Sequence, residues 1–229
     1  MRKLTIVRHT TSRLPGKDQT MTVQNRSMQM AWMAIFLAVF GWSAVGPHDY
    51  PTWFLEVLPA VIGAAVLWFT RDSYPLTRLA YLLILVHCII LMVGGHYTYA
   101  EVPLFDWIRD EFGQTRNNYD KLGHFVQGFI PAIVAREIVI RNEVFNSKRW
   151  RNFFIVCFCL GFSAFYELIE WWVALLSAEA ADSFLGTQGY IWDTQSDMAY
   201  ALVGAVLALL FLGRMHDRQL RSDGYVAGR

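Results

Sequence analysis

The chain has 229 residues, of which 55% are hydrophobic, 15% are aromatic and 17% are charged. A soluble domain usually carries about 25% charged residues, so this composition argues against a soluble globular protein. The formal net charge of +1 gives no electrostatic reason to expect a nucleic-acid partner.

The apolar residues gather into six blocks, each close to the roughly 20 residues that a helix needs to cross a bilayer. In chain order the blocks are 28–45, 52–70, 77–98, 119–140, 152–176 and 193–213. Backbone amides in lipid must be paired within their own segment, so each block is predicted to be helical. The sequence therefore predicts an all-α, polytopic membrane bundle with six transmembrane helices.

The segments outside these blocks are short and polar. Residues 1–27 are predicted to be an N-terminal segment, residues 28–213 the transmembrane domain and residues 214–229 a tail. Met21 is a second candidate start, in which case residues 1–20 are an upstream extension without a folded role. No cleavable signal peptide is predicted, because no short apolar run with a small-residue cleavage site precedes the first block.

The distribution of basic residues predicts the orientation in the membrane. Of the 20 Lys and Arg residues, all but three fall in the segments on one side: the exceptions are Arg109, Arg116 and Lys121. Basic residues accumulate in cytoplasmic segments, so both termini are predicted to be cytoplasmic. Tryptophans prefer the membrane interface, and six of the nine map to the outer side: Trp42, Trp53, Trp107, Trp171, Trp172 and Trp192.

Two other features sit at opposite faces of the predicted bundle. The longest outer loop, roughly 99–118, is acidic and aromatic, and we expect it to hold a short interfacial helix or a lid. Arg136 and Glu137 lie near the inner end of block four. We expect them to pair with neighbouring side chains or to reach the cytoplasmic headgroups.

Three motifs place ionisable residues where apolar ones are expected: "YDKLGHF" from Tyr119, "FYELIEWW" from Phe165 and "WDTQSDM" from Trp192. Residues three or four apart lie on the same helix face. Each motif supplies one such pair, and the predicted topology brings all three pairs to the outer end of the bundle. The pairs are Asp120 with His124, Glu167 with Glu170, and Asp193 with Asp197.

So many carboxylates cannot all be ionised and unpaired near a low-dielectric medium. Lys121 offers one counter-charge, and a bound divalent ion would supply more. Oxygen ligands with one or two imidazoles suit Mg²⁺, Mn²⁺, Zn²⁺ or non-haem iron. The sequence thus predicts a divalent-metal site, with these candidate ligands: Asp120, His124, Glu167, Glu170, Asp193 and Asp197. Asp193 with Thr194 also fits an ordinary helix N-cap.

Other polar residues are expected at the same depth. Glu170 or His124, if it does not ligate the metal, is the predicted general base. The candidates for a supporting or substrate-binding role are Glu56, His96, Lys121, Thr187, Gln188 and Gln195.

The three motifs, in this order, resemble the YjdF-type inner-membrane proteins, a bacterial family without an established biochemical function. The resemblance extends from about Met21 to the end of the chain. More loosely, the "DKLGHF" start, the Glu-rich helix and Asp197 resemble VanZ-like membrane proteins, although Glu170 and "YA" at 200–201 depart from that pattern. The resemblance implies a multi-pass protein of the bacterial inner membrane and supplies no reaction.

Three functions fit these observations. The first is a metal-dependent hydrolase or transferase acting on membrane lipids or lipid-linked substrates. The second is an ion- or proton-coupled transporter of small molecules, although the ionisable groups crowd one side and do not lie at the midplane. The third is a non-catalytic sensor or assembly factor, which would need a partner protein. The first is the favoured hypothesis.

Overall fold

The computed structural model describes residues 15–176 and 188–225, and the side chains from Arg26 onward. Within these ranges the chain is entirely helical, without a strand. The seven described helices are α1 (Pro15–Ser43), α2 (Tyr50–Thr70), α3 (Arg78–His96), α4 (Pro103–Glu111), α5 (Tyr119–Arg141), α6 (Lys148–Leu176) and α7 (Asp193–Ser222).

Five of these helices are long and apolar enough to cross a membrane: α2, α3, α5, α6 and α7. They coincide with predicted blocks two to six, and their ends differ from the predicted ones by a few residues except at α7. That helix continues nine residues beyond block six, to Ser222. Helix α1 covers most of block one but begins with the polar stretch "PGKDQTMTVQNRS", so its role as a sixth span stays a prediction.

The helix starts follow from local chemistry. The side chain of Asp49 accepts a hydrogen bond from the Thr52 amide at 2.8 Å, and Pro51 occupies the first turn of α2. Thr77 caps α3 in the same way through the amide of Ala80. Both are N-cap interactions that satisfy amides with no partner inside the helix.

Two apolar cores hold the bundle together. One joins α1, α2 and α3 and includes Trp32, Phe36, Val57, Leu85 and Met92. The other joins α3, α5, α6 and α7 and includes Leu79, Ala132, Ile133, Ile155, Cys159, Ala205 and Ala208. Helix α3 contributes to both cores and therefore connects the two halves of the molecule.

Helices α5 and α7 run parallel and form the most extensive helix pair of the bundle. Small residues allow this approach: Gly128 of α5 lies directly against the backbone of Ala201, and Gly204 of α7 lies against the carbonyl of Phe125. A side chain at either glycine would collide with the opposite backbone. This is the small-residue packing typical of membrane helices, and it fixes the outer ends of α5 and α7 side by side.

The loop predicted to hold a short helix contains α4, and the position of this helix at the membrane interface stays a prediction. Helix α4 exposes Leu104 and Trp107, while Val102 at its start packs with Tyr99 and Tyr119 in a small outer core. Asn117 joins α4 to the start of α5, donating to the Val102 carbonyl and to Asp106 at 3.0 Å each. The loop therefore forms an ordered cover beside the outer end of the bundle.

Candidate metal centre

The acidic cluster predicted from the three motifs is assembled by α5, α6 and α7. All six predicted ligands lie close to one another. The side chain of Asp120 is 13% exposed. The other five residues are buried: His124, Glu167, Glu170, Asp193 and Asp197. The pairs lie three or four residues apart on their helices, so both members of each pair face the centre of the cluster. We call these six residues the outer cluster.

His124 lies at the middle of the outer cluster. Its Nε2 is 3.4 Å from Asp120 Oδ1 and 3.6 Å from Glu167 Oε1. Its Nδ1 is 3.2 Å from the amide oxygen of Gln127, one helical turn further along α5. An amide oxygen only accepts hydrogen bonds, so Nδ1 is the donor in this contact. Nε2 then faces the two carboxylates, and a metal ion between them would be bound through the lone pair of this nitrogen, as in other metal-binding histidines.

Among the residues that the structure describes, two sets of ligand atoms could hold a metal ion. One consists of Asp120, His124 and Asp197, and the other of His124, Glu167 and Glu170; within each set the atoms lie within 4.8 Å of one another. Glu167 Oε1 is buried without a hydrogen-bond partner. A buried carboxylate oxygen without a partner costs free energy. A cation bound beside this atom would offset that cost.

Two cations flank the cluster on the side of α7. Lys121 Nζ lies between Asp193 Oδ1 at 2.5 Å and Asp197 Oδ1 at 2.6 Å. Arg116 contacts Asp193 Oδ1 at 2.5 Å and Asp120 Oδ2 at 3.6 Å. Asp193 thus accepts from both cations and is the one predicted ligand outside both sets of ligand atoms. The alternative role of Asp193 as an N-cap is wrong, because Trp192 occupies that position and α7 begins at Asp193.

A small cavity opens beside the cluster. Its volume is about 30 Å³, and its walls include Glu56, His87, Tyr99, Asp120, His124, Tyr166 and Glu170. A water molecule needs roughly 10–15 Å³, so the cavity has room for an ion with a water ligand. The Tyr166 hydroxyl donates to Glu56 Oε2 at 3.2 Å, which confirms that Glu56 reaches the same level as the outer cluster.

Tyr99 closes the cavity from the outer loop. Its ring packs on Gly94 and Gly123, where a Cβ atom would collide with it. Its backbone has a φ of +55°, which is uncommon for a non-glycine residue. Burial raises the pKa of the Tyr99 phenol well above its usual range, and the charge of Glu56 acts in the same direction. The hydroxyl is therefore protonated at neutral pH.

The remaining predicted supporting residues divide into two groups. Lys121 lies within the cluster, and Gln188 pairs with the backbone of Asn117 through bonds of 2.9 and 2.8 Å. His96 and Gln195 lie elsewhere. His96 Nδ1 donates to the Ser43 carbonyl at 3.0 Å. Gln195 is exposed; it lies two residues, and hence about 200°, from both Asp193 and Asp197 on α7. Thr187 falls outside the described residues.

Four contributors to the site were missed from the sequence: Arg116, Gln127, Tyr99 and Tyr166. Gln127 follows His124 at a three-residue spacing and Tyr166 precedes Glu167, so helix periodicity could have included both. Arg116 and Tyr99 come from the outer loop, whose path no periodic pattern predicts. Arg116 therefore adds a second counter-charge to the one that Lys121 offers.

A second buried polar cluster lies at the opposite end of α5 and α7, and we call it the inner cluster. Glu137 is fully buried and accepts from the Thr77 amide, the Thr77 hydroxyl and Arg141 at 2.7–3.0 Å, while His216 Nε2 lies 3.0 Å from it. Arg136 contacts His216 and Asp217. The expectation that Arg136 and Glu137 pair with neighbouring side chains is confirmed.

Comparison with known proteins decides the family. Residues 28–218 match the family described as "Predicted membrane protein (DUF2238)". The chain belongs to this family. It is 51% identical over 187 residues to "Inner membrane protein YjdF" of Escherichia coli (strain K12), an alignment that covers 82% of this chain and 90% of that protein. No solved structure matches the chain.

These findings confirm the resemblance to YjdF-type proteins that the three motifs indicated. With five helices suited to crossing a membrane, this DUF2238 protein is a multi-pass protein of the bacterial inner membrane. Neither the family description nor the relative's name states a ligand or a reaction. The activity therefore has to be argued from the site.

Proposed function

We propose that the outer cluster binds a divalent metal ion. The observation that carries this proposal is the pair of ligand sets that share His124, next to a Glu167 oxygen without a hydrogen-bond partner. Glu56 and the outer cluster together supply six carboxylates. The cationic side chains beside them are those of Arg116 and Lys121. A divalent ion would offset part of this excess negative charge.

The favoured metal ligands can be selected from the two sets by the contacts that each residue already makes. Asp197 already accepts from Lys121. Asp120 and Glu167 both lie within 3.6 Å of His124 Nε2. Asp120, His124 and Glu167 are therefore the favoured ligands, and Glu170 is left outside the metal shell, in the wall of the cavity. Oxygen-rich ligands with one imidazole suit Mg²⁺, Mn²⁺, Zn²⁺ or iron, and a metal in such a site would lower the pKa of a bound water.

We propose a topology of six spans with both termini in the cytoplasm. The support is the asymmetry of the basic residues along the chain. The exposed Trp107 of α4 and the exposed Trp171 and Trp172 of α6 lie at the end that carries the outer cluster, where an aromatic belt is expected. The metal site then opens toward the outer, periplasmic leaflet.

A site at the depth of the outer leaflet favours chemistry on a lipid or a lipid-linked substrate. The activated water would attack an ester or phosphoester near the headgroup, or the site would transfer the headgroup to another acceptor. A carboxylate left out of the metal shell, Glu170 by preference, would take the proton of the water. Tyr166 and Glu56 would orient the ligands or the substrate from the far wall of the cavity.

The enzymatic part of the proposal is tested by incubating the purified protein with vesicles of bacterial lipid extract and analysing the lipids by mass spectrometry. We expect products that need added divalent metal and that disappear with Glu170→Gln. The matched control is Glu111→Gln, an exposed residue at the end of α4. Metal-dependent ion flux in proteoliposomes without any lipid product would contradict the enzyme and support the transporter.

A further inference from the structure

A second, larger cavity lies at the opposite end of the bundle from the outer cluster. Its volume is about 490 Å³, and it is enclosed by the end of α5, the following loop, the start of α6 and the end of α7. Val139 in its wall is 19 residues from Asp120 on the same helix. At 1.5 Å per residue that is roughly 28 Å, close to the thickness of the hydrocarbon core.

The cavity is basic on one side. Lys148 and Arg151 of α6 and Arg221 of α7 line it, and the salt bridges found among the described residues involve none of the three. Arg151 is half-buried, and its Nε lies 3.4 Å from the side-chain oxygen of Asn152 on the same helix. Two acids also line the cavity. Asp217 is already paired with Arg136 at 2.6 Å, whereas Glu143 lies in the exposed loop.

The other walls are apolar, and exposed aromatic residues lie beside one of them. Val139, Ile140, Phe145 and Leu220 line the cavity. Phe145 stacks on Phe154 with ring centroids 5.2 Å apart, and Trp150 lies against the same ring. Trp150, Phe153 and Phe154 are exposed, as expected for aromatic residues at a membrane interface.

From these observations we propose that this cavity binds the phosphate headgroup of an anionic phospholipid from the inner leaflet. The three basic side chains match the charge of the phosphate, and the apolar walls match the glycerol and the upper acyl chains. A soluble phosphate compound would use the basic residues but gain nothing from the apolar walls. The proposal is independent of the metal site, which lies at the other end of α5.

The test is native mass spectrometry of the detergent-purified full chain with phosphatidylglycerol or phosphatidylcholine added at equal concentrations. We expect preferential retention of phosphatidylglycerol by the wild type. With Arg151→Gln/Arg221→Gln we expect affinity for phosphatidylglycerol to fall about 30-fold, the factor for two basic contacts. The matched control, Arg149→Gln/Arg218→Gln, removes the same charge from exposed positions of the same helices and should change affinity less than about threefold.

Two results would overturn the proposal. Equal losses in the two double variants would mean that general surface charge attracts the lipid. Displacement of phosphatidylglycerol by millimolar inorganic phosphate would mean that the cavity recognises free phosphate. Arg221→Gln alone serves as a second variant, because its exposed position at the end of α7 is unimportant for folding. Its affinity for phosphatidylglycerol should fall about fivefold. An unchanged affinity would also contradict the proposed lipid site.

Discussion

The inner and outer clusters use the same residue types at the two ends of the same helix pair, yet they differ in how their charges are balanced. In the inner cluster the Glu137 carboxylate has donors on both oxygens. In the outer cluster the carboxylates outnumber the cations, and Glu167 Oε1 has no hydrogen-bond partner. A balanced cluster fastens helices together, whereas one with excess negative charge is suited to a cationic ligand.

The largest expected effect comes from the inner cluster. Glu137→Gln would place an amide donor against Thr77, Arg141 and His216, which already donate to this position. Breaking a buried charged network in this way should lower the free energy of unfolding by about 3–5 kcal/mol. Thermal unfolding in detergent would measure the loss. Glu111→Gln is the control, and a Glu137→Gln protein as stable as this control would refute a fastening role.

The equivalent change in the outer cluster should behave differently. Glu167→Gln removes one of several repelling carboxylates, so the metal-free protein should be as stable as the wild type or more stable. Divalent metal at 100 times its Kd should raise the unfolding free energy of the wild type by about 2.7 kcal/mol and that of Glu167→Gln much less. Thermal melts with and without chelator give both values. Equal metal stabilisation in both proteins would argue against Glu167 as a ligand.

Separating α5 from α7 should disturb both clusters. Gly128→Ala puts a Cβ against the backbone of Ala201, and such overpacking should cost about 1–3 kcal/mol. Metal occupancy should fall as well, because a displaced α5 would move Asp120 and His124 away from Glu167. Gly161→Ala, with open space around the glycine of α6, is the control. Full metal occupancy in Gly128→Ala would show that the site does not depend on this close packing.

A surface carboxylate gives the smallest effect and a pH-dependent reference. Hydrogen bonds from Thr52 lower the pKa of Asp49 below its ordinary value of 3.8. The cap therefore contributes fully above about pH 4, and the contribution is lost as the pH falls through the lowered pKa. Asp49→Ala should lower the free energy of unfolding by about 1 kcal/mol at about pH 7 and by less at about pH 3. Thermal melts at the two pH values would measure both losses. A cost that does not change with pH would mean that the carboxylate charge is unimportant.

Much of the fold could be predicted from the sequence, because a bilayer restricts the possible structures. Blocks two to six needed only apolar length to be recognised, and the structure has helices over them. The extension of α7 to Ser222 was missed, since its last turns are polar and lie beyond the apolar block. Block one was also predicted to be a span, but α1 joins it to a polar stretch that begins at Pro15, so this span stays a prediction.

The candidate site was predictable where it depends on helix periodicity. Spacings of three and four residues brought together Asp120, His124, Glu167, Glu170 and Asp197, as expected. Contributions from loops were not predictable, and neither were the directions of individual side chains at helix ends. Arg116 was therefore missed, and His96 was expected at the site although it contacts the end of α1 instead.

The central claim, that the outer cluster holds a divalent metal, is tested most directly by elemental analysis of the detergent-purified protein and of the His124→Ala/Asp197→Ala variant. The account predicts about one divalent ion per wild-type chain and none in a variant that retains its helical content. An absence of metal from both proteins, after reloading with Mg²⁺, Mn²⁺ and Zn²⁺, would contradict it. The outer cluster would then be a protonated polar network, and proton-coupled transport would be the function to test.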